Sequence, residues 1–175
     1  PGSPDHEPMT PEHRHDWKIQ RLEQRVTKPD VGVEVLLELA EAYFQKGYYY
    51  GAGDSWYEQA TQVATRSVTE HGGCARAHNI LANALYGLGD FDAAERHYRD
   101  AIEKDPSDSL AYVGLGNLHR QRSDNGRAID AFSRATELNP DLWQAHYNLG
   151  GALYTEARER DFRGADDLMD RAVYH

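Results

Sequence analysis

The sequence predicts an all-α fold, a solenoid of about four stacked helical hairpins with an extra N-terminal helix, and three observations carry that prediction. Residue sizes recur at a fixed interval: Ala94 and Ala128, Tyr98 and Phe132, Ala101 and Ala135, and Pro106 and Pro140 all stand 34 residues apart. The apolar residues inside each copy fall at helical spacings of three and four. Each copy then ends on a proline, as a pair of antiparallel helices joined by short turns would. Residue sizes repeat because the packing between helices repeats.

Residues 1–16 read as a flexible tail, because Pro1, Pro4, Pro8 and Pro11 with Gly2 interrupt regular structure; the opening Pro-Gly-Ser matches an expression scar, and the chain reads as a fragment. His6, Glu7, His13, His15 and Asp16 have metal-compatible side chains, but nothing in their spacing fixes a ligand geometry. Residues 17–30 form a short amphipathic helix and linker, with Ile19, Leu22 and Val26 on one stripe and Pro29 as the stop. The helix is expected to lie against the first repeat.

The repeats occupy residues 31–175, in units of about 33–74, 75–108, 109–142 and 143–175. In the second unit His78, Leu81, Ala82 and Leu85 form one face of helix A, and Ala94, Tyr98 and Ala101 form the opposing face of helix B. Ala82 and Ala94 let the backbones approach, and Tyr98 fills the space beside them. Gly89 closes helix A in the left-handed conformation, Asp90 caps helix B, and Asp105-Pro106 stops it. The first unit is longer. Seven of its extra residues follow Ala60, which is two helical turns, so "ATQVATRSVTEHGG" predicts an overlong second helix ending at Gly72-Gly73. Tyr48, Tyr49 and Tyr50 fall in that hairpin's turn, as packing residues or as an exposed aromatic contact. The last unit carries three extra residues in "EARERDFRG" before its second helix.

This pattern resembles the tetratricopeptide repeat, with its signature W-x2-L-G-x2-Y, A-x3-F and a closing proline. Residues 109–142 carry it as Tyr112, Leu115, Gly116, His119, Ala128, Phe132 and Pro140, and residues 75–108 as His78, Leu81, Ala82, Leu85, Ala94, Tyr98 and Pro106. The last unit follows with Trp143, His146, Leu149, Gly150 and Leu153. The resemblance implies a right-handed superhelix whose helix A residues line a concave groove. By the family's groove positions, the first unit contributes Glu34, Glu38, Glu41 and Phe44. The second contributes Arg76, Asn79, Asn83 and Tyr86, the third Val113, Asn117 and Arg120. The fourth contributes Gln144, Tyr147, Asn148 and Tyr154, with Gly151 leaving room for a guest side chain.

Function is therefore expected to be a protein–protein interaction scaffold that holds a peptide segment or helix of a partner. Asn83 and Asn117 would hold its backbone, since an amide donates and accepts at once, and the acidic row Glu34, Glu38 and Glu41 would prefer a basic end. The four lysines fall outside these positions, which sets aside a lysine-based grip on a terminal carboxylate, although Arg76 and Arg120 remain able to bind one. The alternative is a structural module that self-associates through an uncapped last repeat at Leu168, Met169, Ala172 and Val173, since a terminal hairpin needs a cap or a partner surface.

Other classes have little support. With 19 Lys+Arg against 29 Asp+Glu, the formal net charge of −10 repels phosphate backbones and anionic lipid. No apolar run is long enough to span a membrane. The single cysteine, Cys74, fits a reducing, cytoplasmic setting. No phosphate loop, nucleophile elbow or metal-spaced set of ligands is present, so neither enzyme activity nor a cofactor or metal is expected. His78 and His146 occupy the place of Tyr112 and are read as packing residues, and His97 and His119 are explained by their helix positions.

Overall fold

A computed structural model describes residues 10–27, 31–51 and 53–173, with side chains described as far as residue 161. The described residues form eight helices and divide into two compact units, Pro1–Lys104 and Asp105–His175.

The first unit contains α1 (Pro11–Val26), α2 (Val33–Tyr50), α3 (Asp54–His71), α4 (Ala75–Gly87) and α5 (Phe91–Lys104). Helix α1 begins well before Trp17, which shortens the expected tail; residues 1–9 lie outside the described residues. The reason is local. Thr10 caps the helix by accepting from the His13 amide at 3.2 Å, and Pro11 takes the first helical position, where its missing N–H costs nothing. Ile19 and Leu22 bury the stripe of α1 against Leu39, Ala42 and Tyr43 of α2. Lys46 of α2, only 4% exposed, reaches back to Glu12 at 2.9 Å and Asp16 at 2.8 Å. Burial alone would lower the Lys46 pKa, but hydrogen bonds to Asp16 and Glu12 outweigh it and raise it. His15 donates from Nε2 to the Ala42 carbonyl at 2.8 Å. Three side chains of the acid- and histidine-rich segment thus dock α1 on the first hairpin.

Helices α2 and α3 form that hairpin, and α3 is overlong as the insertion predicts, at 18 residues. Gly72 ends it with φ 74°, a conformation that costs glycine little and a side chain much. Its inner side carries Ala60, Ala64 and Ser67, all buried. The tyrosine run divides. Tyr50 packs over the Lys46 ammonium, 4.8 Å from the ring centre, whereas Tyr48 and Tyr49 are 66% and 70% exposed on the last turn of α2. In the second hairpin Ala82, Ala94 and Ala101 are completely buried and Tyr98 is buried as well. Gly89 adopts φ 79°, and Asp90 accepts from the Ala93 amide at 3.1 Å, capping α5 as expected.

The second unit contains α6 (Ser109–Gln121), α7 (Asn125–Leu138) and α8 (Trp143–Val173). Asp108 caps α6 and Asp124 caps α7. Ala128, Phe132 and Ala135 are fully buried in α7, at the places of Ala94, Tyr98 and Ala101. Residues 143–173 depart from expectation. They form one helix of 31 residues where a helix, a turn and a second helix were predicted. "EARERDFRG" contains good helix formers and no proline, so no local signal compels a turn there.

Candidate functional site

In the first unit, most of the expected binding face is already committed to the protein itself. Arg76 on α4 reaches across to α2, where it pairs with Glu34 and Glu41, each at 2.9 Å. The hydrogen bond to Glu41 is the main reason the guanidinium pKa is raised, against the opposing effect of burial. Glu38 lies 4.0 Å from Arg25 of α1. The acidic row therefore has cationic neighbours of its own, which offset part of its charge.

Asn83 is also occupied. The buried Tyr98 hydroxyl donates to its Oδ1 at 2.7 Å, and its Nδ2 donates to Asn79 Oδ1 at 3.1 Å. An amide expected to face a ligand thus satisfies a core tyrosine, and Asn79 is itself buried. Phe44 is half-buried between the rings of Tyr48 and Tyr57, at 5.9 Å and 6.0 Å, and Tyr86 packs on Phe91 at 5.4 Å.

The second unit is arranged differently. Val113, expected to line the binding face, is buried in the core with Phe132, Ala145 and Ala152. Arg120, on the last turn of α6, is exposed and bridges two amides: Nη2 donates to Asn117 Oδ1 at 3.4 Å and Nη1 to Asn148 Oδ1 at 3.5 Å. Among the described residues no carboxylate pairs with it. These are long, weak hydrogen bonds that hold the guanidinium in place without neutralising it.

Helix α8 supplies the rest of this face. Its inner side carries the buried Ala145 and Ala152, while Trp143, Tyr147 and Tyr154 recur near helical spacing on another side and are 68%, 74% and 66% exposed. Gly151, between the two tyrosines, has no described atom within 4 Å of where a side chain would stand. Gln144 is half-buried, and its Oε1 is buried without a hydrogen-bond partner. Asn117, Arg120, Asn148, Tyr147 and Tyr154 thus form a mixed polar and aromatic surface on α6 and α8.

A further side of α8 is covered by none of the described residues. Gly116 of α6 lies so close to the Phe132 ring that a methyl group in its place would overlap it. Gly150 holds the equivalent place 34 residues on, and nothing described lies within 4 Å of where its side chain would be. Leu153 is 47% exposed. His146, read as a packing residue, is exposed and donates from Nε2 to the Pro140 carbonyl at 2.9 Å. Leu168, Met169, Ala172 and Val173 lie on the helical backbone, outside the described side chains.

Family models described as tetratricopeptide repeat match residues 33–107, 79–142 and 113–173. Among curated relatives, the tetratricopeptide repeat and J domain-containing co-chaperone DNJ1 of Cryptococcus neoformans is 34% identical over 84 residues, which are 48% of this chain and 16% of that protein. The chain therefore spans only a small part of that relative. Among solved structures, MamA superposes with a TM-score of 0.66 at 19% identity, covering 95% of this chain and 99% of that one. The second such repeat domain of human RPAP3, solved in complex with an HSP70 peptide, gives a TM-score of 0.56 at 22% identity, covering 69% of this chain and 98% of that one. At these identities the structural likeness concerns the fold.

Proposed function

This chain belongs to the tetratricopeptide repeat family, and from that premise we propose that it is a protein-interaction scaffold that takes a peptide segment of a partner on the α6–α8 face of its second unit. The carrying observation is Arg120, an exposed guanidinium held by Asn117 and Asn148 with no carboxylate partner among the described residues. A peptide carboxylate, from an acidic side chain or a chain terminus, would complete it through a charge-assisted hydrogen bond. Tyr147 and Tyr154 add apolar area at little entropic cost, and Gly151 leaves room for a ligand side chain. The peptide-bound RPAP3 domain supports this use of the fold without identifying a ligand for this chain.

The partner is a protein, because the charge of −10 disfavours nucleic acid, and no described helix is long and apolar enough to cross a membrane. The exposed thiol of Cys74 suits a reducing cytoplasmic compartment. The test is fluorescence anisotropy with labelled peptide pools that carry free or amidated C-termini and acidic or neutral residues. Acidic or free-carboxylate pools should bind more tightly, and Arg120→Ala should remove the difference. Equal binding of all pools, or no effect of Arg120→Ala, would overturn the reading.

The uncovered side of α8 favours a second reading, self-association of the scaffold. Gly150 and Leu153 offer a helix-sized landing that Phe132 occupies at the equivalent place in α6 and α7. Leu168, Met169, Ala172 and Val173 would extend that surface. Light scattering over a wide concentration range should then show association that Leu153→Glu weakens, whereas a concentration-independent monomer rules it out.

A further inference from the structure

Helices α4 and α5 bring together three side chains that peptide binding leaves unused. His78 stands on α4, and His97 and Asp100 stand three residues apart on one side of α5. The Nδ1 atoms of the two histidines are 3.1 Å apart, and Asp100 Oδ2 is 3.4 Å from the first and 3.5 Å from the second. His78 is buried, while His97 and Asp100 are partly exposed. Beside them a cavity of about 360 Å³ is lined by His78, Asp100, Glu103 and Lys104.

We propose that His78 Nδ1, His97 Nδ1 and the Asp100 carboxylate bind a zinc-like divalent transition-metal ion, with water from the adjoining cavity as the fourth ligand. Ligand atoms around a tetrahedral ion with bonds of ~2.0–2.1 Å lie about 3.3–3.4 Å apart. The three separations here, 3.1, 3.4 and 3.5 Å, centre on that value. Two imidazoles with one carboxylate suit zinc, cobalt or iron(II), whereas calcium and magnesium require more oxygen ligands than this cluster supplies.

Burial is the largest cause lowering the pKa of both rings, against the opposing pull of Asp100, and it favours the neutral imidazole that a metal needs. Lys104 near His78 and Arg96 near His97 oppose a cation, while Asp100 and Glu103 attract one.

The repeat provides an internal control. Thirty-four residues on, the places of His78, His97 and Asp100 hold Tyr112, Ala131 and Arg134. The packing of a hairpin thus does not require the triad, and among the described residues the second hairpin alone brings such ligands together. Without a metal the two rings meet through one N–H donating to the other's lone pair, which is the competing explanation.

Equilibrium dialysis of the whole chain against zinc, with a chromophoric chelator as competitor, distinguishes the two. Because each of the seven other histidines is a potential zinc ligand, the readout is the difference between the parent and His97→Ala, which copies the residue that the third repeat tolerates at that place. The parent should bind one more zinc equivalent than His97→Ala. Asp100→Asn should weaken that equivalent by roughly tenfold or more. Cobalt should give the intense visible bands of a four-coordinate ion in the parent, need a higher concentration to give them in Asp100→Asn and give none in His97→Ala, and zinc should raise the melting temperature of the parent more than that of either variant. Equal zinc stoichiometry and affinity in the parent and in both variants, with helical circular dichroism retained, would overturn the proposal and leave a hydrogen-bonded histidine pair.

Discussion

Asn83 of the first unit and Asn117 of the second stand 34 residues apart at equivalent places of consecutive repeats, yet they face different demands. Asn83 accepts the hydroxyl of Tyr98, which needs a partner because it is buried. The residue at the place of Tyr98 in the second unit is Phe132, which has no hydroxyl, so Asn117 is released to hold Arg120. The charges diverge in the same way: Arg76 is neutralised by two glutamates, and Arg120 is held by two amides. One oxygen atom in the core thus changes what the surface of a repeat has available for a ligand. Equivalent positions share a packing role without sharing a binding role.

The comparison can be broken or sharpened by substitution. The largest expected effect is on the core of the second unit, where Phe132→Ala should cost about 3–5 kcal/mol of stability in urea unfolding. Leu153→Ala, on the uncovered side of α8, should cost far less; a comparable loss would mean that another segment covers that side. Next comes the asparagine pair. Asn83→Ala leaves the Tyr98 hydroxyl without its partner and should cost about 1–3 kcal/mol, whereas Asn117→Ala should change stability by no more than about 0.5 kcal/mol. Equal losses at the two positions would refute the contrast. Repeating Asn83→Ala in a Tyr98→Phe background should recover most of the loss, because donor and acceptor then disappear together.

The effect on binding is expected to be somewhat smaller in energy. Arg120→Ala should weaken an acidic peptide about tenfold, or ~1.4 kcal/mol, while Arg76→Ala, whose charge is already paired, should leave affinity within a factor of about two. Anisotropy titrations with the same peptide compare them directly, and a larger effect at Arg76 would move the binding face to the first unit. The smallest effect is a gain. Gly150→Ala places a methyl group in open space on a helix and should raise stability by about 0.4–1 kcal/mol, whereas Gly116→Ala should lose roughly 1–3 kcal/mol against the Phe132 ring. Differential scanning calorimetry of the two variants measures both signs.

The sequence by itself determined the helical hairpins and their small-residue contacts. It also determined the ends of α3, α4 and α5, where Gly72, Gly89, Asp90 and Asp105-Pro106 act within a single turn of chain. These signals are legible because capping, left-handed closure and helical periodicity depend on near neighbours. The start of α1 was legible too, in Thr10-Pro11-Glu12, but prolines count as breakers until one of them is recognised at the first helical position. Only the tertiary structure decided that Arg76 meets Glu34, 42 residues away, that Tyr98 uses Asn83, 15 residues away, and that His78 meets His97, 19 residues away. Hydrogen bonds and ion pairs act over a few ångströms, and the packing of one helix on another sets which distant side chains come that close. A repeated pattern of sizes fixes the spacing of the backbones, while the polar atoms carried on them choose their partners only once those backbones are in place.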